Sequence, residues 1–221
     1  MPANASEAAP TASRDRKRPN IRERQRNLTR EALLSGAAEA FAESGYNAVT
    51  IEDIALRAGT SRGTFYLYFT KGQILAELIL RVFSEEIGGT SETALLPDLK
   101  LAEPYDVDSL MKWLREYVET WERNSSLVRA WMEGEVSDPE VQELTKMRVA
   151  RAVELWSEIL LARRKTRRKA DKESARAHAV LLDLQLQYFC FYVVVRRLDT
   201  TVEAGLRALA EQWHAVIHSQ A

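Results

Sequence analysis

A short segment near residue 65 combines side chains that suit contact with DNA. If residues 62–69 are helical, Phe65 and Phe69 lie about 40° apart around the helix axis and can both face a core. The exposed surface then carries an arginine, a glycine, a leucine and several hydroxyl groups, which suit base edges, close backbone approach, a thymine methyl group and phosphates. The segment predicts a recognition helix for the major groove. The alternative is a small three-helix unit packed against the rest of the chain, with half-buried tyrosines.

The elements around this segment follow a helix-turn-helix pattern. The sequence predicts a first helix that Thr29 caps and Gly45 ends, and a short second helix that Thr50 caps. Only Gly59–Thr60 separate this helix from a third one, which Ser61 caps. Two short helices joined by so tight a turn are typical of a helix-turn-helix domain.

Three motifs extend this pattern over residues 28–75. They read Ala40–Phe41-x-x-x-Gly45–Tyr46, then Thr50–Ile51-x-x-Ile54–Ala55-x-x-Ala58–Gly59-x-Ser61-x-Gly63–Thr64–Phe65–Tyr66-x-x-Phe69, and finally Lys71-x-x-Ile74–Leu75. In these motifs the chain resembles the DNA-binding domain of the TetR family of bacterial transcriptional regulators. The resemblance implies phosphate contacts from Thr50, Ser61, Thr64, Tyr66, Tyr68 and Lys71, and base contacts from Arg62, Gly63 and Leu67. The chain departs from the family pattern in having only Thr70 between Phe69 and Lys71, with Gly72 next.

The charge of the chain is unevenly distributed. The 221 residues carry a net charge of −1, from 31 basic and 32 acidic groups. Residues 1–30 hold eight basic groups against three acidic ones, whereas the remaining residues are net acidic. We expect residues 1–26 to form a disordered basic arm that reaches the DNA backbone or minor groove, with a merely solvated tail as the alternative.

The rest of the chain predicts an all-α protein with two folded parts. Residues 27–75 form the expected helix-turn-helix domain, and residues 76–221 an effector-binding and dimerisation domain. A fourth helix is expected from Lys71 to about Ile87, followed by a loop over residues 88–108 and then helices to the end. The basic run 163–172 is interpreted as a solvated loop between helices.

Large aromatic and sulfur-containing side chains recur at helical spacing in this second part. They could form plain core, or they could line an apolar cavity for a hydrophobic small-molecule effector, as the family resemblance implies. The candidates for that pocket are Trp113, Tyr117, Trp131, Met147, Trp156 and Phe189.

The last two helices carry apolar residues at alternating steps of four and three, which predicts helix–helix seams. The family resemblance implies a homodimer joined by a four-helix bundle, and the alternative is a monomer with a buried central helix. The residues predicted for that interface are Leu181, Leu184, Tyr188, Phe191, Val202, Leu206, Leu209, Trp213 and Val216.

Other functional classes lack their signatures. The single Cys190 allows no internal disulfide, and no run of about 18 apolar residues suggests a membrane span, so we expect a cytoplasmic protein. No HExxH, GxSxG, Walker or dinucleotide motif occurs, and Glu211-x-x-His214 has no second copy, so we expect no enzyme, metal or cofactor.

These patterns favour a ligand-responsive repressor that binds a near-palindromic double-stranded DNA operator as a dimer. Two alternatives have weaker support. A non-specific architectural DNA binder would need basic charge over the whole chain, and a helical-bundle enzyme would need facing carboxylate and histidine pairs.

Overall fold

The computed structural model describes residues 20–86, 102–162 and 169–218, and these ranges are helical without any strand. The all-α prediction is confirmed. The helices are α1 (Ile21–Ala48), α2 (Ile51–Arg57), α3 (Arg62–Tyr66), α4 (Lys71–Glu86), α5 (Val107–Arg123), α6 (Ser125–Ser137), α7 (Pro139–Ala162), α8 (Lys169–Phe189) with a π-helical continuation (Cys190–Val195), and α9 (Val202–His218). We refer to α5–α9 as the body.

Helix α1 begins earlier than its apolar pattern suggested. The side chain of Asn20 accepts a hydrogen bond from the backbone N–H of Glu23 at 2.8 Å, which caps the helix one residue before Ile21. The prediction of disorder as far as residue 26, and of Thr29 as the cap, is therefore wrong. The first two turns face solvent on all sides, so the spacing of apolar residues carries no sign of them. Residues 1–19 of the predicted arm lie outside the described residues.

The helix-turn-helix forms where the capping residues predict it. Thr50 and Asp53 form a reciprocal capping box at the start of α2, and the Ser61 hydroxyl accepts the N–H of Thr64 at the start of α3. Between them Gly59 has a φ of 64°, a conformation that glycine adopts without strain. Helix α3 is shorter than expected and ends at Tyr66, but a turn still brings Phe69 into the core.

Helix α1 is interrupted at Gly45, where the predicted stop falls. Gly45 has a φ of 75°, and a side chain there would meet the carboxylate of Glu133, because its Cβ would lie 2.5 Å from Oε2. The chain resumes one further turn as far as Ala48. A glycine is needed at this position both for the backbone angle and for the close approach of α6.

The body is built around a cluster of buried aromatic rings. Trp113 stacks on Tyr117 with ring centres 5.6 Å apart, and Trp156 meets Trp213 edge-on at 4.7 Å. The most extensive helix pairings are α7 with α8, α5 with α9, and α1 with α6. The last of these pairings joins the body to the helix-turn-helix domain.

Helix α8 and its π-helical continuation, residues 169–195, are long and apolar enough to cross a membrane by length and hydropathy. In this fold the helix instead packs along α7 and buries Asp183. The two terminal nitrogens of Arg148 each donate to one carboxylate oxygen of Asp183 at 3.3 Å. Large apolar side chains remain exposed on its other side. We call this side the α8 face and define it as Leu181, Leu184, Tyr188 and Tyr192.

Candidate DNA-binding surface, interdomain junction and cavity

The open surface of α3 carries the residues predicted to read bases. The side chains of Tyr66 and Leu67 are 53% and 77% exposed, and Arg62 is also exposed. A Cβ at Gly63 would meet nothing nearer than Ser61 Oγ at 3.8 Å, so internal packing does not require a glycine there. We call Arg62, Gly63, Tyr66 and Leu67 the recognition surface.

The hydroxyl groups beside this surface first serve the helix caps. Ser61 Oγ lies 3.0 Å from Thr64 Oγ1, and the Thr50 hydroxyl donates to Asp53 Oδ2 at 2.7 Å. The capping bonds fix the starts of α2 and α3, which sets the angle at which α3 is presented. Thr50 and Ser61 are exposed and Thr64 is half-buried, so the caps lie at the edge of the recognition surface.

Arg62 is held in place before any ligand arrives. It donates to Glu52 Oε1 at 2.6 Å, and its guanidinium lies 5.6 Å from the centre of the Tyr66 ring. Hydrogen bonds to the Tyr66 hydroxyl and to Glu52 raise the pKa of Arg62, so the group keeps its charge. This contact with Glu52 was not predicted, because only the position of Glu52 in the first turn of α2 can be read from the sequence. Nη1 of Arg62 is therefore already occupied by a carboxylate.

Two predicted phosphate ligands are less open than expected. Tyr68 is half-buried against the domain core. The ammonium group of Lys71 lies 4.3 Å from the centre of the Tyr46 ring, and burial lowers its pKa although Asp138 and Glu133 oppose this shift. Lys71 is therefore directed toward acidic groups of the body, and its role in phosphate contact stays a prediction.

Further exposed groups of the helix-turn-helix domain also suit DNA. Arg22, Arg24 and Arg26 stand on the exposed first turns of α1, and none forms an ion pair with another residue of the described ranges. Leu56 on α2 is largely exposed, a feature that sequence reasoning missed because a lone apolar residue carries no pattern. The free arginines provide positive charge in a domain whose other arginines are mostly paired.

A set of hydrogen bonds ties the helix-turn-helix domain to α6. Glu133 Oε2 accepts the backbone N–H of Tyr46 at 2.8 Å, directly after the turn at Gly45. The Tyr46 hydroxyl donates to Asp138 Oδ2 at 2.7 Å, and the Ser137 hydroxyl donates to the side chain of Asn47 at 2.6 Å. We call these contacts the interdomain junction.

The junction is partly buried, and the pKa values of its groups reflect this. Burial and the hydrogen bond to Asp138 raise the pKa of Tyr46, so its hydroxyl remains a donor. Burial of Asp138 opposes ionisation, but bonds from Tyr46 and from the backbone of Glu140 and Val141 outweigh it and lower the pKa. The carboxylate therefore stays charged near neutral pH and accepts the hydrogen bond from the Tyr46 hydroxyl, which keeps its proton.

The body contains a cavity of about 130 Å³ beside α6. Its lining is mostly apolar or aromatic, with a few polar groups, and consists of Ile79, Tyr117, Trp121, Val128, Trp131, Met132, Glu135, Thr145, Arg148, Val149, Leu184, Gln187 and Tyr188. Burial raises the pKa of Tyr117, whose hydroxyl accepts a hydrogen bond from the Gln187 amide at 2.9 Å. The cavity is comparable in size to ones that hold a single benzene ring.

Two of the six predicted pocket residues, Tyr117 and Trp131, line this cavity. Trp113 and Trp156 are buried in the aromatic cluster behind it, and Met147 is 63% exposed on the outside of α7. Phe189 is directed at α9, where it lies against Gly205. These four assignments are corrected, because helical spacing cannot distinguish a ring that faces a cavity from one that packs against another ring. Trp121 and Met132, which do line the cavity, follow the same spacing.

The predicted dimer residues also divide into two groups. Leu181, Leu184 and Tyr188 are exposed on the α8 face, and Phe191 is partly buried. By contrast, Leu206, Leu209 and Trp213 are buried inside the chain, because the seam of α9 packs against α5. Those three are removed from the predicted interface. Val202 and Val216 are half-buried against the core.

Comparison with known proteins confirms the resemblance found in the sequence. The sequence profile of bacterial regulatory proteins of the tetR family matches residues 33–78. A helix-turn-helix transcriptional regulator of Bacillus subtilis, YvdT, is 43% identical over 49 residues, which are 22% of this chain and 25% of that protein. The transcriptional repressor KstR2 of Rhodococcus jostii is 40% identical over 60 residues, 27% of this chain and 29% of that protein. The matches therefore span about a quarter of the length of these relatives.

Solved structures establish the fold over most of the chain. A TetR-family transcriptional regulator from Syntrophomonas wolfei superposes with a TM-score of 0.62 at 20% identity, covering 87% of this chain and 96% of the other. A transcriptional regulator from Pseudomonas aeruginosa gives 0.57 at 14% identity, covering 89% and 92%. The described residues contain no cluster of metal-binding side chains, and His214 lies 3.1 Å from the Tyr105 carbonyl oxygen.

Proposed function

We propose that this protein, which carries a tetR-family DNA-binding domain and has the fold of TetR-family regulators, is a cytoplasmic, ligand-responsive transcriptional repressor. It binds a near-palindromic operator as a homodimer and leaves it when a hydrophobic small molecule enters the body. The observation that carries this proposal is that one helix, α6, contributes both to the cavity wall and to the interdomain junction.

The recognition surface is the part that meets the operator. Arg62 offers a guanidinium to guanine edges or phosphates, Leu67 offers apolar contact to a thymine methyl group, and Gly63 allows close backbone approach. The Tyr66 hydroxyl suits a phosphate. Thr50, Ser61 and Thr64 surround these groups and complete the proposed interface.

The α8 face is the part that meets a second copy. Its four large side chains are exposed, recur at steps of three and four residues, and include no charged group. A surface of this kind can pair with its own copy about a two-fold axis, as in a four-helix bundle. Such a dimer presents two α3 helices to half-sites about one DNA turn, roughly 34 Å, apart.

Coupling between effector and operator runs through two helices. Helix α6 lines the cavity with Val128, Trp131 and Met132 and holds the domain turn through Glu133. Helix α4 contributes Ile79 to the cavity, and its start packs beside α7, where Thr70 donates to Glu140. A ligand that moves these helices apart changes the distance between the recognition surfaces of the two protomers. For ordinary allosteric coupling, the effector must bind the protein that has left the operator more tightly than the operator-bound protein, by about 1–3 kcal/mol.

Repression is favoured over activation by the name of one relative. KstR2 is named a transcriptional repressor. Another relative, from Bacillus subtilis, is named a fatty acid metabolism regulator and is 34% identical over 56 residues, and its name does not give the mode of regulation. The name of KstR2 describes that protein, and it supports a repressor mode for this chain through the shared DNA-binding domain.

Footprinting on the DNA upstream of the protein's own gene tests the proposal. We expect protection of one near-palindromic site, with two protected half-sites on the same face of the duplex, that disappears when an effector is added. Diffuse protection that weakens uniformly with salt would instead indicate an architectural DNA binder. No protection at any operator would remove the regulator function.

A further inference from the structure

We infer that the effector is an uncharged molecule with a ring-sized apolar part and one hydrogen-bond acceptor, such as an aryl ketone, amide or ether. This inference rests on the proposed effector site and adds the chemical class that the cavity selects. Three features of the wall carry it: the shape and polarity of the inner cavity, two donors without a hydrogen bond of good geometry, and the charged groups.

The inner wall is formed by rings and branched aliphatic side chains. Trp121 and Trp131 face the space together with Val128 and Ile79, and all four are buried. The volume of about 130 Å³ suits a single substituted ring. A ring in this space contacts aromatic faces and displaces poorly held water, which favours an apolar ligand body.

Two hydrogen-bond donors on the wall have no hydrogen bond of good geometry within the described part of the chain. Trp121 is only 3% exposed, and its indole N–H lacks such a bond, because its one contact, with the Tyr117 hydroxyl, is a weak one that opposes the rise in the pKa of that group. The buried Thr145 hydroxyl is unpartnered. Buried polar groups are normally satisfied, so two donors at the edge of one cavity point to an acceptor supplied by the ligand.

The basic group of the cavity wall is already paired. Arg148 lines it, but both of its terminal nitrogens face the carboxylate of Asp183, which is itself buried. A ligand carboxylate would add a second negative charge to a neutral pair and would lose its own hydration. An uncharged acceptor satisfies the donors without that loss.

The other charged group of the wall, Glu135, also borders an adjoining cleft. Lys146 and Arg176 line that cleft as well. Two basic side chains therefore share the cleft with the Glu135 carboxylate, and they weaken its attraction for a ligand ammonium group.

Four small probes of similar shape test the inference on the full-length protein: acetophenone, ethylbenzene, benzoate and benzylamine. Their dissociation constants can be measured by NMR titration of ¹⁵N-labelled protein, with the five tryptophan indole N–H signals as the readout. We expect acetophenone to bind roughly 3- to 10-fold more tightly than ethylbenzene, which lacks the acceptor. Both charged probes should bind more weakly than acetophenone.

The indole N–H signals distinguish a direct hydrogen bond to the ligand from an indirect structural effect. Acetophenone should shift the Trp121 indole N–H signal downfield, whereas ethylbenzene should not. Trp156 has an equally buried and unpartnered indole N–H that does not line the cavity, so its signal serves as the internal reference and should stay in place. The Trp121→Phe variant identifies the signal by its absence.

Two substitutions then separate the donors from the shape of the cavity. Trp121→Phe and Thr145→Val each remove a donor and keep most of the volume, and each should reduce the preference for acetophenone over ethylbenzene toward unity. Thr120→Val is the matched control, because the Thr120 hydroxyl is buried, bonds to the Glu116 carbonyl and lies outside the cavity wall. The Thr120→Val variant should keep the preference of the unsubstituted protein for acetophenone over ethylbenzene.

The possible results separate this inference from the proposed function. Equal binding of acetophenone and ethylbenzene, or tighter binding of benzoate or benzylamine, overturns the ligand class and leaves the effector site standing. If none of the four probes binds, the inferred ligand class falls, and the operator footprint remains the separate test of the regulator function.

Discussion

Two surfaces of this molecule expose large apolar side chains, and they differ in what surrounds those side chains. The recognition surface places Tyr66 and Leu67 beside Arg62 and the hydroxyl groups of two helix caps. On the α8 face, four apolar or aromatic side chains follow one another along a single helix without a charged group among them. Exposure alone therefore does not identify a partner. Neighbouring charge and hydroxyl groups favour DNA, whereas regular apolar spacing favours a second helix.

The largest effect is expected from Leu181→Arg on the α8 face. Leu181 is 57% exposed and does not line the cavity, so the substitution tests dimer formation alone. About a two-fold axis the change buries two arginines without partners, and we expect monomers in sedimentation and a loss of operator affinity of roughly 100-fold or more. Met147→Arg, on an equally exposed apolar residue of α7, should leave both properties unchanged. A dimer that persists in Leu181→Arg would contradict the assignment of the α8 face.

Tyr66→Ala should weaken operator binding by roughly 10- to 100-fold and leave the dimer intact. The substitution removes the hydroxyl group and also the ring against which Arg62 is held. Tyr66→Phe is the matched variant, because it keeps the ring and should lose only a small part of the affinity. Gel-shift titration with operator and with unrelated DNA separates specific from non-specific loss. Full affinity in Tyr66→Ala would show that the surface of α3 does not read the operator.

Glu133→Gln tests the interdomain junction, which connects the helix-turn-helix domain with helix α6 of the cavity wall. The carboxylate accepts two backbone N–H groups of the turn after Gly45, and an amide oxygen makes weaker bonds of the same kind. We expect operator affinity without effector to change less than about threefold, while the effector's ability to reduce it falls by a similar factor. Glu143→Gln, an exposed residue of α7 paired with Lys146, is the control. Equal effector response in both variants would exclude the junction from signalling.

The smallest effect on sequence preference should come from deleting residues 1–19. The deletion stops before Asn20 because that residue caps α1. It removes Arg14, Arg16, Lys17 and Arg18, so affinity should fall and the plot of log affinity against log salt should become flatter, with operator preference kept. An unchanged salt slope would show that the arm is a solvated tail.

The sequence was sufficient for the helix-turn-helix because its determinants are local. Thr50 and Ser61 cap helices within three residues of their partners, and Gly59 and Gly45 take positive φ angles where turns were expected. Each of these signals lies within a few residues of the helix end or turn that it determines. The recognition surface follows from them directly, since caps and core phenylalanines fix which side chains face outward.

The body could not be predicted in the same detail because its determinants are distant along the chain. The environment of Lys71 depends on Glu133 and Asp138, more than 60 residues away. The seam of α9 has the same spacing as that of α8, yet it is covered by α5 within the chain, so Trp213 is buried while Leu181 is exposed. Periodicity shows that a helix has an apolar side, but only the tertiary fold decides what covers it.

Tryptophan occurs in the body and not in the helix-turn-helix domain, so the two parts of the molecule differ in their fluorescence. All five tryptophans lie between residues 113 and 213, and Trp113, Trp156 and Trp213 stand within 6.3 Å of one another. Intrinsic fluorescence excited at the red edge of protein absorption therefore reports on the body alone. Trp121 and Trp131 at the cavity wall add emitters whose quenching follows occupancy, while α3 and the rest of the helix-turn-helix domain contain no tryptophan. Occupancy of the cavity can thus be followed in unlabelled protein while the operator is bound.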